Sequence, residues 1–114
     1  MSNLKQEITA IIYDKRGKVL SIGKNSYIKS HSLQAKYASK VGEHDKIFLH
    51  AEIDAIIKCR NIDKAHRIFI SRPLRSGGYG LAKPCKICQH AIETITPIKI
   101  IEWSEKQEIK SHHD

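Results

Sequence analysis

Three side chains of the types that hold zinc fall in two short motifs. "HAE" puts His50 two residues before Glu52, and "PCKIC" puts Cys85 three residues before Cys88, with 31 residues between the motifs. Two thiolates and one neutral imidazole make a tetrahedral zinc site with one position left open, and an open position separates catalytic from structural zinc. Water there has its pKa lowered from about 15.7 to about 7, which makes hydroxide available at neutral pH. Glu52 then has a use. Two residues from a ligand, it can lie beside that water without ligating, accept a proton and hand it to a substrate nitrogen. Each motif alone has a plainer reading: a histidine at a helix start is usually a cap or surface residue, and C-x-x-C is a redox pair or half of a structural zinc site. His90, His112 and His113 offer a fourth ligand for that structural alternative, which leaves "HAE" unexplained.

The surrounding pattern puts both motifs at helix starts. In "FLHAEIDAII" the spacing of Ile53, Ile56 and Ile57 predicts a helix from about His50 to Arg60. Pro84 reads as the first residue of a second helix, with both sulfurs on one face of its first turn, where unpaired N–H groups and the helix dipole favour thiolates. Upstream, "ITAIIYD" and "KVLSIGKN" read as strands joined through Lys15, Arg16 and Gly17 into a hairpin. A polar stretch from Ser26 to Asp45 follows, with a short helix around Leu33 to Val41. "RIFISRP" (Arg67 to Pro73) and "IKIIEWS" (Ile98 to Ser104) read as further strands, and "LRSGGYGLAK" between the first of these and Pro84 reads as a loop. A hairpin followed by alternating strands and helices predicts an α/β fold with a mixed sheet.

Composition sets the outer limits. With 114 residues and 40% hydrophobic content the chain has material for one core, so residues 1–114 are expected to form one domain, with 105–114 as a polar tail. No apolar run approaches the roughly 18 residues of a membrane span, and "MSNLKQEITAII" lacks the apolar core and cleavage site of a secretory signal. Three cysteines, an odd count, do not form the framework of a small secreted domain, and a cytoplasmic protein with reduced thiols or a metal site is expected. The net charge of +8 is unevenly spread. No acid lies between Asp14 and Glu43 or between Asp63 and Glu93, while those stretches hold seven and six basic residues. An anionic partner fits this distribution.

"HAE" followed by "PCKIC", each at a helix start, resembles the cytidine and deoxycytidylate deaminase superfamily, whose H-x-E and P-C-x-x-C signature serves zinc-dependent deamination of a base. The resemblance extends to the order of elements from Ile8 to Ser104. It implies a three-layer fold with a mixed sheet of about four to five strands and helices on its faces. It also implies Zn2+ held by His50, Cys85 and Cys88, with Glu52 as proton shuttle, and hydrolytic attack on the amino-bearing carbon with release of ammonia. Asn25, at the end of the second strand, matches an asparagine that holds sugar or base in the family. Ala51, Arg72, Arg75 and Tyr79 are further candidate substrate contacts, the last three carried by a Gly-rich insertion, Ser71 to Lys83, that many relatives lack. Arg72, Arg75 and Lys24 are candidates for a phosphate. Relatives usually have a fifth strand for which little chain remains, so either the sheet keeps an exposed edge or another subunit covers it in a homo-oligomer.

A free cytosine nucleotide or nucleoside is the favoured substrate, because the chain is small and its aromatic content is 6%. A deaminase of single-stranded DNA or RNA and a zinc-stabilised binding protein without activity are the alternatives.

Overall fold

The computed structural model describes residues 7–42, 48–74 and 77–105. Strands β1 (Thr9–Tyr13) and β2 (Val19–Lys24) form the expected hairpin. Its turn is locked locally: the Asp14 carboxylate accepts from the N–H groups of Arg16 and Lys18, both at 2.9 Å, and Gly17 takes the positive φ of 90° that the turn requires. Helix α1 (Ser32–Lys40) follows, then α2 (Ala51–Lys58), a 3₁₀ turn (Ile62–Lys64) and β3 (Arg67–Pro73). A two-residue strand β4 (Tyr79–Gly80), helix α3 (Lys86–Ile95) and β5 (Ile100–Trp103) complete the described elements.

These elements form a layered α/β fold with a mixed sheet of five strands and three helices, the class expected from sequence. β1 pairs antiparallel with β2 on one side and β3 on the other, and β5 lies parallel to β3 along Arg67–Ile70. The fifth strand arises where a loop is expected. β4, inside the Gly-rich insertion, folds back so that Arg72 and Pro73 pair with Gly80 and Tyr79. Glycines with positive φ at Gly77 and Gly78 supply that reversal. The tail at 106–114, with His112 and His113, and Arg75 lie outside the described residues.

Strict alternation along β1 and β3 gives the sheet a buried face of Ala10, Ile12, Ile68 and Ile70. Ala51, Ala55 and Ile56 of α2 and Ile92 of α3 pack into that same cluster. The far side of α2 contributes Ile53 to a second cluster with Tyr37 and Ala38 of α1 and Ile87, Cys88 and Ala91 of α3. Helix α2 is therefore buried on both sides, which explains why even its acids Glu52 and Asp54 are buried.

Close contact between β2 and α2 depends on one glycine. A methyl group at Gly23 would run into Ala55 N and Ala51 O, backbone atoms that cannot swing aside. The approach is pinned by polar bonds on either side: Ser21 Oγ donates to Ala55 O at 2.8 Å, and Asp54 Oδ2 accepts from Lys24 N at 2.9 Å while pairing with Lys58 Nζ at 2.8 Å. Gly23→Ala should push α2 off the sheet and cost roughly 1–3 kcal/mol or more, the range for overpacking a filled interior. Denaturant unfolding checks this, and an unchanged midpoint would show that the helix is not held at this distance.

Candidate functional site

Two helices that start side by side build the site. His50 is the N-cap of α2 (φ −88°, ψ 156°) and Cys85 the N-cap of α3 (φ −79°, ψ 175°), and neither side chain caps its own helix. Serine, threonine, aspartate or asparagine at such positions usually contributes about 1 kcal/mol by binding a free N–H, and both helices forgo it. The two side chains face each other instead. His50 Nδ1 lies 3.3 Å from Cys88 Sγ and 3.5 Å from Cys85 Sγ. Pro84 thus precedes the cap rather than opening the helix, because Cys85 is still extended; Cys88, three residues on, sits inside the first turn and is fully buried.

The donor atoms of His50, Cys85 and Cys88 all lie within 4.8 Å of one another, near enough to bind a metal ion. Tetrahedral zinc with Zn–S of about 2.3 Å and Zn–N of about 2.0–2.1 Å separates nitrogen from sulfur by about 3.5 Å. The observed His50 to cysteine distances match this spacing. The acid–base state of the sulfurs also suits a cation. The Cys85 thiol is pushed down to about 3, chiefly by a hydrogen bond from Cys88 and then by His50. Cys88 moves up from its ordinary value because it donates to Cys85, is buried and faces Glu52. One thiolate is therefore in place, and a second proton is available for a divalent ion to displace.

Glu52 occupies the second position of α2 and is 6% exposed. Burial pushes its carboxyl up from the ordinary carboxylate range, against the pull of its own backbone N–H and His50. Together with His50, Ala51 and Cys85 it lines a cavity of about 530 Å³. Asn25 and Ser26 line the same cavity, as do Ile70 of β3 and Leu81, Ala82 and Lys83 from the segment leading to "PC". Asn25 Oδ1 accepts from Ile8 N at 2.9 Å, fixing the strand end against β1. Ser26 N donates to Leu49 O and Leu49 N donates to Lys29 O, both at 2.9 Å, so the 26–30 segment is held beside the approach to His50.

The other candidates fall elsewhere. Arg72 and Tyr79 are not among the cavity's lining residues. Arg72 lies across β4, where Gly80 leaves room for its guanidinium, and its Nε is buried without a hydrogen-bond partner among the described residues. His90 stacks edge-on against Tyr37 at 5.4 Å and stands outside the His/Cys/Cys group. Cys59 is a buried core thiol.

Two supporting residues gave no signal in the sequence. Gln34, fully buried on α1, accepts from His50 N through Oε1 at 3.1 Å and so fixes the residue that opens α2. Ser104 is buried just after β5, where its Oγ donates to Gly80 O at 2.8 Å and accepts from Arg72 N at 3.1 Å, while its carbonyl accepts from Ala82 N at 3.0 Å. That knot positions the backbone that runs into Lys83, Pro84 and Cys85. No helix among the described residues is long and apolar enough to cross a membrane. No protein-family model matches this chain, and no curated protein matches it either.

Proposed function

We propose that this chain is a zinc-dependent hydrolase that removes the amino group of a cytosine nucleotide or nucleoside as ammonia. The observation that carries this reading is the position of Glu52. A structural zinc site closes its coordination with protein ligands and has no need of a cavity. Here a buried carboxyl and two of the three donor residues share the wall of one.

His50 Nδ1, Cys85 Sγ and Cys88 Sγ are the atoms that would hold zinc. Bound zinc supplies Lewis acidity, which makes hydroxide available for attack near neutral pH. Glu52 takes the proton released as water becomes the nucleophile and delivers it to the ring nitrogen next to the attacked carbon. Glu52, again ionised, then takes the remaining proton of the added hydroxyl and passes it to the amino group as the carbon–nitrogen bond breaks, so water and substrate become a ring carbonyl and ammonia. Ala51, which is fully buried, and Asn25 border the space for base and sugar, while Ile70 and Ala82 keep the wall dry. About 530 Å³ suits a ligand of nucleotide size.

Single-stranded nucleic acid is the second reading, favoured by Tyr27 and Phe48, cavity residues that are 43% and 48% exposed and could stack on neighbouring bases. The test is ammonia release by the zinc-loaded protein from cytidine, CMP, dCMP, adenosine, guanine and single-stranded oligonucleotides. Turnover of a cytosine mononucleotide or nucleoside is expected. Turnover confined to oligonucleotides would favour the second reading, and silence across the panel would leave a zinc-stabilised binding protein.

A further inference from the structure

We propose that Lys83 is the residue that reads a phosphate on the substrate, making the preferred substrate a free cytosine mononucleotide rather than the nucleoside. This rests on the nucleobase-deaminase reading above and adds the group that sets its substrate class.

Lysine and arginine are plentiful on this chain, but the fold brings few of them to the cavity. Among the described lining residues Lys83 is the one lysine or arginine, and Glu52 is the one acid. Arg72 lies across β4 instead, and Lys24 points its backbone, not its ammonium, into the α2 contact. Lys83 is exposed and has no ion pair among the described residues. Its Nζ sits 5.8 Å above the ring of Trp103, a weak cation–π contact that biases the side chain without burying its charge.

Its backbone is well placed. Ala82 N, one residue earlier, is tied to Ser104 O at 3.0 Å, and Cys85, two residues later, is a zinc-site residue. The lysine is thus anchored between a buried knot and the reacting centre, and its stem starts from the cavity wall. Asn25 and Ser26 line the same cavity. A base held at Glu52 with its sugar beside Asn25 leaves a sugar phosphate to extend toward the open side. An ammonium there serves as a point-charge partner for phosphate. Among the described residues no carboxylate other than Glu52 lines the cavity to repel that phosphate.

Calorimetry with CMP and cytidine tests this in a zinc-loaded Glu52→Gln background, where turnover does not interfere. CMP should bind more tightly than cytidine. Lys83→Ala should weaken CMP by roughly tenfold or more, the size of one hydrogen bond to a charged partner, and change cytidine affinity by less than about twofold. Lys83→Glu should make CMP the weaker ligand of the two, while Lys64→Ala, on the 3₁₀ turn outside the cavity lining, should leave both affinities as they are. Equal losses for CMP and cytidine, equal binding of the two by the parent, or binding of neither would overturn the assignment. A cytosine oligonucleotide binding much more tightly than CMP would also overturn it, in favour of a polymer substrate. Lys83-dependent CMP affinity in a protein that releases no ammonia would uphold the phosphate site and sink the deaminase reading alone.

Discussion

Glu52→Gln should keep its zinc and its fold and lose deamination by a factor of about 10² to 10⁴, the contribution of a positioned general acid and base. The side chain is 6% exposed on a helix packed from both sides, so glutamine fills the same space and retains the carbonyl that can accept a hydrogen bond. It cannot take or give the proton. The loss should appear in kcat and in kcat/KM alike, because the proton moves in the transition state and contributes little to ground-state binding. Zinc content is the necessary control, since Glu52 faces Cys88 without being one of the three donor residues. Unchanged turnover at full zinc occupancy would remove Glu52 from the chemistry. Lost turnover together with lost zinc would make it a ligand.

The second large effect concerns the metal. Cys88→Ser should bring bound zinc from one equivalent to under a tenth and abolish deamination. Cys88, on α3, is fully buried in the cluster shared with α1 and α2, and its sulfur lies 3.3 Å from His50 Nδ1. Serine is smaller and leaves no thiolate, so two donors remain where the site has three. Stability follows the metal, because an ion bound only by the folded chain adds to folding free energy. At a free zinc concentration a hundredfold above the dissociation constant that addition is about 2.7 kcal/mol. For a chain of this length the variant should then melt on the order of 10 °C below the zinc-loaded parent, and chelator should bring the parent down toward the variant. Metal analysis and thermal melts with and without chelator check this. A parent whose melting point ignores chelator would show that the group does not take zinc in a way coupled to folding.

What could be read in the sequence was chemistry at element boundaries. His50 and Cys85 stand out because an imidazole and a thiol replace the small polar residues usual at N-caps, and Glu52 and Cys88 by their fixed spacing from them; a broken local rule often marks a functional position. The strand Arg67–Pro73 was legible to the residue because alternation and the closing proline both mark it. The parts that escaped depend on long-range pairing. Gly23 looks like any strand glycine until α2 lies against it, and Gln34 looks like a surface residue of a weakly apolar helix until His50 N needs an acceptor. Ser104 joins Arg72, Gly80 and Ala82 only once β5 has crossed beside β3. The basic residues show the same limit. Charge along the chain pointed to Arg72 as a phosphate contact, yet its alternation in β3 and the room left by Gly80 send it across the hairpin, and Lys83 reaches the cavity wall instead.

Ammonia release before and after metal removal is the most direct test of a zinc-dependent deaminase. The protein is stripped with chelator, dialysed, and assayed with CMP and cytidine alone and after one equivalent of zinc is returned. Turnover should vanish in the stripped protein and return with the first equivalent, reaching a plateau near one zinc per chain. Ammonia released at the full rate by protein shown to be free of metal, or none released at one equivalent of bound zinc, would contradict it.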